Sequence, residues 1–490
     1  MIDYNILFYI LISPLAGCVI LFFIPSNKHD LLKKVALSTS FFSFIFSLLL
    51  WILFDENCIS FQFICNINSL SLENIKYSVG VDGISLFFII LTTFLIPLCI
   101  LISWDSINTY VKEYLVLFLL IETVLLNVFS VLDLLLFYIF FESVLIPIFI
   151  IIGVWGSYER KIKASYYFFF YTLISSFLIL LAIVLTYFQV GTTDIQILYN
   201  TQFSVKKQIL LWIAFFIIFA VKIPIIPFHI WLPEAHAEAP TAGSVVLAGI
   251  LLKMGGYGFL RFSIPLLPDA SIYFSPIVFV LSIIAIVYAS LSTLRQIDLK
   301  KIIAYSSIAH IGYVTLGIFS FNVQGIEGSI LLILGHGLIS SALFLCVGIL
   351  YEKYKTRVLK YYSGLIQIIP LFVTFFLFFL LANIGFPGTS NFIGEFLVLI
   401  GISQINYFVT IFAVLGIVFS AAYSLWLFNH VSGGLIKLHY LQNYYDISKR
   451  EFFILLFLFF SSLWIGILPN SFLKPLHNST FNLMSHIIFS

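Results

Sequence analysis

Residues 220–244 read AVKIPIIPFHIWLPEAHAEAPTAGS, and this stretch decides the fold. A run apolar enough to cross a bilayer carries Lys222, followed by Pro224 and Pro227. Each proline removes a backbone donor and breaks the helical ladder. Hydrocarbon tolerates unwound backbone only where it is buried in protein or lines a hydrated cavity. The break at Lys222 therefore implies an internal polar pathway, and discontinuous helices with an ionisable group at mid-depth are the mark of ion-handling transporters.

The rest of the chain agrees with a membrane interior. Of its 490 residues 61% are hydrophobic and 9% charged, and the mean hydropathy is +1.12, whereas about 25% of residues are charged in soluble domains. Apolar runs that match about 30 Å of hydrocarbon fall at 5–24, 35–54, 84–103, 114–132, 134–153, 165–188, 209–230, 242–262, 273–293, 302–321, 328–350, 365–398, 404–428 and 452–470. The fold class is an all-α polytopic membrane protein of about fourteen helices. A net charge of +2 is too small to suggest a nucleic-acid partner, and none is expected. Asp3 precedes a full-length first span without a basic leader, so no cleavable signal is expected. The five cysteines have no metal-ligand spacing, and Cys58 and Cys65 are expected as thiols. No metal or cofactor site is expected in this chain.

Seventeen basic residues fall in loops on one side and five on the other, among them Arg261. By the positive-inside rule an even number of spans then puts both termini on the outer side. Only Lys222 and Lys253 remain inside spans, where a lysine costs roughly 2.5–3.5 kcal/mol on insertion scales. Glu122, Glu142 and Glu395 are the acids most clearly within apolar runs.

A second break appears in 383–395, NIGFPGTSNFIGE, where Gly385, Pro387 and Gly388 interrupt an apolar stretch. Pro224 and Pro387 are 163 residues apart, and Glu142 and His310 are 168 apart. Break and upstream ionisable group thus recur at nearly one separation, the pattern of an internal repeat. Because an odd number of spans separates the matched helices, the two halves are expected to be inverted. The expected segments are 1–112, three helices and an outer loop; 113–262, the first repeat; 272–430, the second; and 431–490, a last helix and tail.

Opposite charges in a low-dielectric interior stabilise each other's ionised forms, and separating them favours the neutral form of each. Glu142 and Lys222 are therefore expected to capture and release protons as their gap changes. A static pair tying two helices together is the bland alternative, but apolar residues serve packing without desolvation cost. Lys253, in LLKMGGYGF, is the next proton-holding candidate. His310 and His336 lie in successive spans, and a neutral imidazole relays a proton by accepting on one nitrogen and donating from the other. A lone buried histidine is often only a core residue; the series with Lys222, Lys253 and Glu395 favours a relay. Haem ligation is not expected, since His310 and His336 give one ligand on each of two spans. His229 and His236, separated by Pro233, are secondary candidates along with Glu122. Glu234, His236 and Glu238 read as loop residues at an inner mouth.

KIPIIPFHIWLPEAHAEAPTAGSVVLAGILLKMGGYGFLRF, LRQIDLKKIIAYSSIAHIGYV, GHGLISSALFLCVG and FPGTSNFIGEF together closely resemble the antiporter-like subunit 4 family of respiratory complex I, the proton-translocating NADH:ubiquinone oxidoreductase. FESVLIPIFIIIGVWG looks most like the mitochondrial versions of plants and protists. The resemblance implies fourteen helices with two inverted five-helix repeats, spans 4 to 8 and 9 to 13, and broken helices 7 and 12. By motif position it implies that Glu142 and Lys222 are the family's charged pair and Lys253 its central lysine. It further implies that His310 and His336 link the halves and that Glu395 is the exit-side glutamate. NADH, FMN, iron–sulfur clusters and ubiquinone would belong to other subunits. The partners would be neighbouring membrane-arm subunits and lipid, and the location the mitochondrial inner membrane with both termini in the intermembrane space. The alternative is a subunit of a secondary cation/proton antiporter, which would transport sodium without NADH-oxidising partners.

Overall fold

The structure is a computed structural model that describes residues 6–72, 75–437, 440 and 445–488. Among these, eleven helices are long and apolar enough to cross a bilayer. They include α1 (Ile6–Phe23), α2 (His29–Ile52), α3 (Gly83–Ser106) and α4 (Val111–Ser130). Three more crossings are charged or interrupted. The first is α9 (Val205–Lys222), which continues after its break as α10 (Trp231–Glu238). The others are α15 (Leu299–Ile318) and the pair α17 (Pro370–Ile384) and α18 (Ser390–Ser403). The total is the expected fourteen.

Both expected breaks are present. Helix α9 ends at Lys222, eight residues before the span expected to reach 230, because Pro224 and Pro227 cannot continue it. Helix α17 ends at Ile384 with Gly385 at φ +83, a left-handed cap open to glycine, and α18 starts only at Ser390. A third interruption was not foreseen. The fifth span runs from Leu134 to Trp155 with a lapse of one residue at Val144, whose backbone stays helical (φ −63, ψ −25), between α5 (Leu134–Ser143) and α6 (Leu145–Trp155). Pro147 clashes with the carbonyl four residues back, that of Ser143, and the lapse falls one residue beyond Glu142's neighbour.

Packing divides the chain into two units. The first comprises Met1–Lys222, Leu252–Phe274 and Leu473–Ser490; the second comprises Ile223–Leu251 and Ser275–Phe472. The units follow packing, so α10 and the start of the eighth span group with the later helices, whatever the repeat boundaries.

In the first unit, α1 to α4 pack together and carry a hairpin, β1 (Gln62–Leu72) against β2 (Ile75–Val81). Asp82 closes the hairpin and starts α3 through a capping box with Ser85. The same unit holds α7 (Lys161–Val190), the short α8 (Ile195–Tyr199) and α9. A helix where a tail was expected, α21 (Asn470–Ile488), buries Leu476, Thr480, Leu483 and Met484. That spacing is one helical face. It crosses the start of α3 so closely that a Cβ on Gly83 would stand 2.0 Å from the Pro475 carbonyl oxygen. Gly83→Ala should therefore cost about 1–3 kcal/mol, the usual range for overpacking. A lowered midpoint of thermal unfolding in detergent checks it, and an unchanged midpoint would show that α21 is not held there.

The second unit is built on α16 (Val323–Tyr354), buried along its length. Helix α18 lies against it through glycines. A Cβ on Gly394 would meet Leu332 at 2.7 Å, and one on Gly401 would meet Gly325 at 2.7 Å. Small residues of this kind let backbones approach where no hydrophobic drive exists between helices. Helices α17, α19 (Tyr407–Ser432) and α20 (Lys449–Ile467) complete the packing around this pair.

Candidate functional site

In the first unit the polar residues gather at helix ends. Lys222 is the last residue of α9, where the unsatisfied carbonyls and the negative end of the helix dipole favour a cation. Its ammonium is buried, without a hydrogen-bond partner, 4.7 Å from the centroid of Phe141 and 5.9 Å from that of Phe168. Glu142 lies near the end of α5, feels Lys222 through space and has Ser176 of α7 beside it. No hydrogen bond joins the two charges, and Oε1 of Glu142 is itself without a partner. The aromatic faces give part of what a direct ion pair would supply, since a desolvated cation over a ring is worth about 2 kcal/mol. Thus the pair sits apart, Lys222 at a helix end broken by proline and Glu142 two residues before the lapse at Val144.

Lys253 is buried in α12 (Leu252–Gly258), between single π-turns at Leu247–Leu251 and Phe259–Ser263. Such turns re-aim side chains and recur at functional sites. Gly258 brings α12 onto α9: a Cβ there would lie 2.2 Å from the Phe219 ring. Lys253 is therefore on the helix that packs against the one bearing Lys222. Glu122 is fully buried too, but its partner is the Ser43 hydroxyl of α2, among the first helices.

In the second unit the structure brings His310, His336 and Glu395 together. Nδ1 of His310 is 3.0 Å from Oε1 of Glu395, and both side chains are almost wholly buried. Nε2 of His310 is 3.4 Å from the Tyr423 hydroxyl, to which Asn383 donates at 3.3 Å. The His310 and His336 rings are 5.6 Å apart between centroids. Five helices, α15 to α19, each contribute one of these side chains. The break in helix 12 makes room for the carboxylate: a Cβ on Gly385 would come within 2.6 Å of Oε2 of Glu395. Sequence reasoning missed Tyr423 and Asn383, because neutral polar residues in a span carry little insertion cost.

Glu234, His236 and Glu238 are not loop residues. They form α10, and His236 and Glu238 are buried. His236 stacks on Phe344 at 4.8 Å with a 10° interplanar angle. Glu234 pairs with Lys301 at 2.5 Å, and Glu238 faces Arg357 at 3.5 Å. Lys301 stands in the first turn of α15 and Arg357 in the loop after α16, so a turn of helix after the break meets charges that sequence places in solvent. His229 is largely buried, with its ring 5.9 Å from that of Tyr288 and 6.3 Å from that of Tyr305. Four residues counted as loop cations, Lys33, Arg261, Lys300 and Arg357, are buried. Lys300 donates to the Ala239 carbonyl at 2.7 Å, and Arg357 also lies 3.6 Å from Asp298. In the first unit Arg261 pairs with Asp82 at 2.6 Å and donates to the Tyr257 hydroxyl at 3.2 Å.

Comparison with known proteins agrees over nearly the whole chain. Residues 131–420 match the family described as NADH:quinone oxidoreductase/Mrp antiporter, TM. NADH-ubiquinone oxidoreductase chain 4 of Chondrus crispus is 63% identical over 484 residues, covering 99% of this chain and 98% of the relative. The protein of the same name from Arabidopsis thaliana is 57% identical over 477 residues, covering 97% and 96%. Among solved structures, a chain of respiratory complex I from Thermus thermophilus with bound NADH superposes with a TM-score of 0.89 at 27% identity, covering 98% of this chain and 99% of that one. A chain of the archaeal membrane-bound sulfane sulfur reductase shares the fold, with a TM-score of 0.84 at 22% identity over 94% and 76% of the two chains. With its broken helices, buried charges and this degree of identity, the chain belongs to the NADH:quinone oxidoreductase/Mrp antiporter membrane family, in its NADH-ubiquinone oxidoreductase chain 4 branch.

Proposed function

We propose that the chain is a proton-translocating membrane-arm subunit of NADH:ubiquinone oxidoreductase that carries protons on Glu142, Lys222, Lys253, His310, His336 and Glu395. One observation carries the reading: a buried ammonium, Lys222, stands without a hydrogen-bond partner at a broken helix end, in electrostatic reach of Glu142, whose Oε1 is also without one. A structural ion pair closes its hydrogen bonds, because an unpaired buried charge is expensive. A pair held open is poised to change.

When Glu142 and Lys222 approach, each stabilises the other's charge; when they part, desolvation drives a proton onto the carboxylate or off the ammonium. Lys253 and the histidines hold the proton in turn, and Glu395 releases it. The hydrogen bond between His310 and Glu395 supports that last step, since it joins a proton donor to an acceptor over 3.0 Å. The chain performs no redox step in this reading. NADH, FMN, iron–sulfur clusters and ubiquinone are bound by other subunits, and neighbouring antiporter-like subunits are the partners in the arm. The protein lies in the mitochondrial inner membrane, with both termini in the intermembrane space and protons taken up from the opposite, lysine-rich side. The 113–262 and 272–430 segments act as inverted repeats about the two breaks. The high identity to chain 4 relatives favours a complex I subunit over a free-standing cation/proton antiporter.

Glu142→Gln keeps the side chain's size and hydrogen-bonding capacity while removing its charge. The assembled complex should then lose most proton translocation per NADH in vesicles, by about 10²-fold or more. Normal pumping by an assembled Gln variant rejects the role. Sodium-driven transport in vesicles without NADH-oxidising subunits would favour the antiporter.

A further inference from the structure

The first turn of α18 holds polar side chains that the scheme above does not use. Asn391 and Ser390 are fully buried, and neither the amide oxygen and nitrogen of Asn391 nor the hydroxyl of Ser390 has a hydrogen-bond partner in the protein. Buried polar groups in native proteins are nearly always satisfied, by protein or by ordered water. Both side chains face α16 at Gly335, where a Cβ would stand 2.9 Å from the Ser390 hydroxyl and 3.0 Å from the Asn391 amide oxygen. The next residue of α16 is His336. On α18, Asn391 lies four residues before Glu395, hence on the same helical face.

His336 needs a way to reach that carboxylate. The obvious relay is His310, but both its nitrogens are engaged, Nδ1 by Glu395 and Nε2 by Tyr423. An imidazole with both nitrogens occupied accepts a third partner only by giving one up. A site with an amide donor, an amide acceptor and a hydroxyl, by contrast, meets the two to four polar partners that a buried water requires.

We propose that Asn391 and Ser390 hold an ordered water that carries protons between His336 and Glu395, making Asn391 a positioning residue of the relay. The inference rests on the proton-translocating reading above. The protonated His336 ring breaks an N–H bond, giving that proton to the water and returning to neutral imidazole, while one of the water's own O–H bonds breaks and its proton passes to the Glu395 carboxylate. The water is regenerated, and no oxidant or reductant takes part. The second break supplies the geometry, for only a helix that restarts at Ser390 can place its first turn inside the protein, level with Gly335. The glycine contacts between α16 and α18 hold that turn in place.

The test uses the whole assembled complex in vesicles. Asn391→Leu keeps the branching at Cγ but cannot hold water; it should lower proton translocation per NADH at least about tenfold. NADH oxidation by an artificial acceptor that bypasses the membrane arm should not change. Asn391→Ser, which keeps a hydroxyl, should recover at least half of the pumping, and its pH profile should follow that of the unaltered complex. Wild-type pumping by Asn391→Leu overturns the proposal, as does equal impairment of the Leu and Ser variants. Should the Leu variant fail to assemble, the unaltered complex decides. A high-resolution map should show ordered density within hydrogen-bond distance of the Asn391 amide and the Ser390 hydroxyl, and a dry site there overturns the proposal. Glu395→Gln, run in parallel, separates the two readings. Normal pumping by that variant removes the relay altogether, whereas its loss alongside normal pumping in Asn391→Leu removes only the water.

Discussion

Lys222→Met should abolish coupled proton translocation, by about 10²-fold or more, in a complex that still assembles. The reason for expecting assembly is steric. Methionine has the length and flexibility of the lysine stem and packs well on aromatic edges. The cation's surroundings here are the Phe141 and Phe168 rings. The ammonium makes no hydrogen bond in the protein, so its removal breaks none. Removing it lifts the desolvation cost of one buried charge, and Glu142, left without its opposite charge, answers by taking up a proton. What the methionine cannot do is change protonation state opposite Glu142.

Lys222→Arg sharpens the result. Arginine restores the positive charge but remains protonated at any pH a protein experiences. A purely electrostatic or structural role for Lys222 predicts partial recovery with arginine; a role in taking up and giving up a proton predicts none. Pumping by assembled vesicles, normalised to NADH oxidation by an artificial acceptor, separates these outcomes. Unchanged pumping in both variants would mean that the chain is a scaffold.

The residues that betrayed themselves in the sequence are those whose presence in hydrocarbon is costly. Lys222, Lys253, Glu142 and Glu395 stood out because charge inside an apolar run needs a reason, and the breaks at Pro224 and Gly385 because proline and glycine punctuate helices wherever they occur. From these the membrane fold and its crossings were readable. Less was visible where the cost is small or the burial is tertiary. Pro147 was in plain view, but a proline in a span signals a bend only, and the lapse beside Glu142 depends on where the chain yields. Arg261, Lys300 and Arg357 lie at the ends of apolar runs, where a cation reads as a loop residue. Their burial comes from acids distant in sequence, Asp82 for Arg261 and Glu238 and Asp298 for Arg357. Residues 231–238 read as a polar loop because half a helix after a break is too short to show a period. Asn391, Ser390 and Tyr423 were silent for a different reason. Neutral polar residues are common in spans, and only knowledge of which partners they lack or share gives them a part. The face of α21 formed by Leu476, Thr480, Leu483 and Met484 could have been found, since its period is helical, but its polar remainder hid it in a search for membrane crossings.

Arg261 and Asp82 lead to the second large effect, on folding. Asp82 holds the Arg261 guanidinium at 2.6 Å and starts α3 by accepting the Ser85 amide. Arg261 in turn sits 5.0 Å from the Phe61 ring centroid and donates to Tyr257, whose hydroxyl donates to the Phe129 carbonyl at 3.1 Å. Hairpin, α3, α4 and the end of the eighth span thus meet at one buried charge pair. Asp82→Ala leaves the buried guanidinium without its counter-charge, at a cost of about 3–5 kcal/mol, and deletes the helix cap, at about 1 kcal/mol more. Little folded protein should accumulate. If the loss comes from the stranded charge, removing both charges should restore most of it. Asp82→Ser keeps an N-cap oxygen and Arg261→Met fills the space without charge, so the double variant should be markedly more stable than Asp82→Ser alone. Thermal unfolding of the purified complex and the yield on native gels measure both. If Asp82→Ser and the double variant are equally unstable, the ion pair is not what joins these elements, and the capping of α3 alone accounts for the need for Asp82.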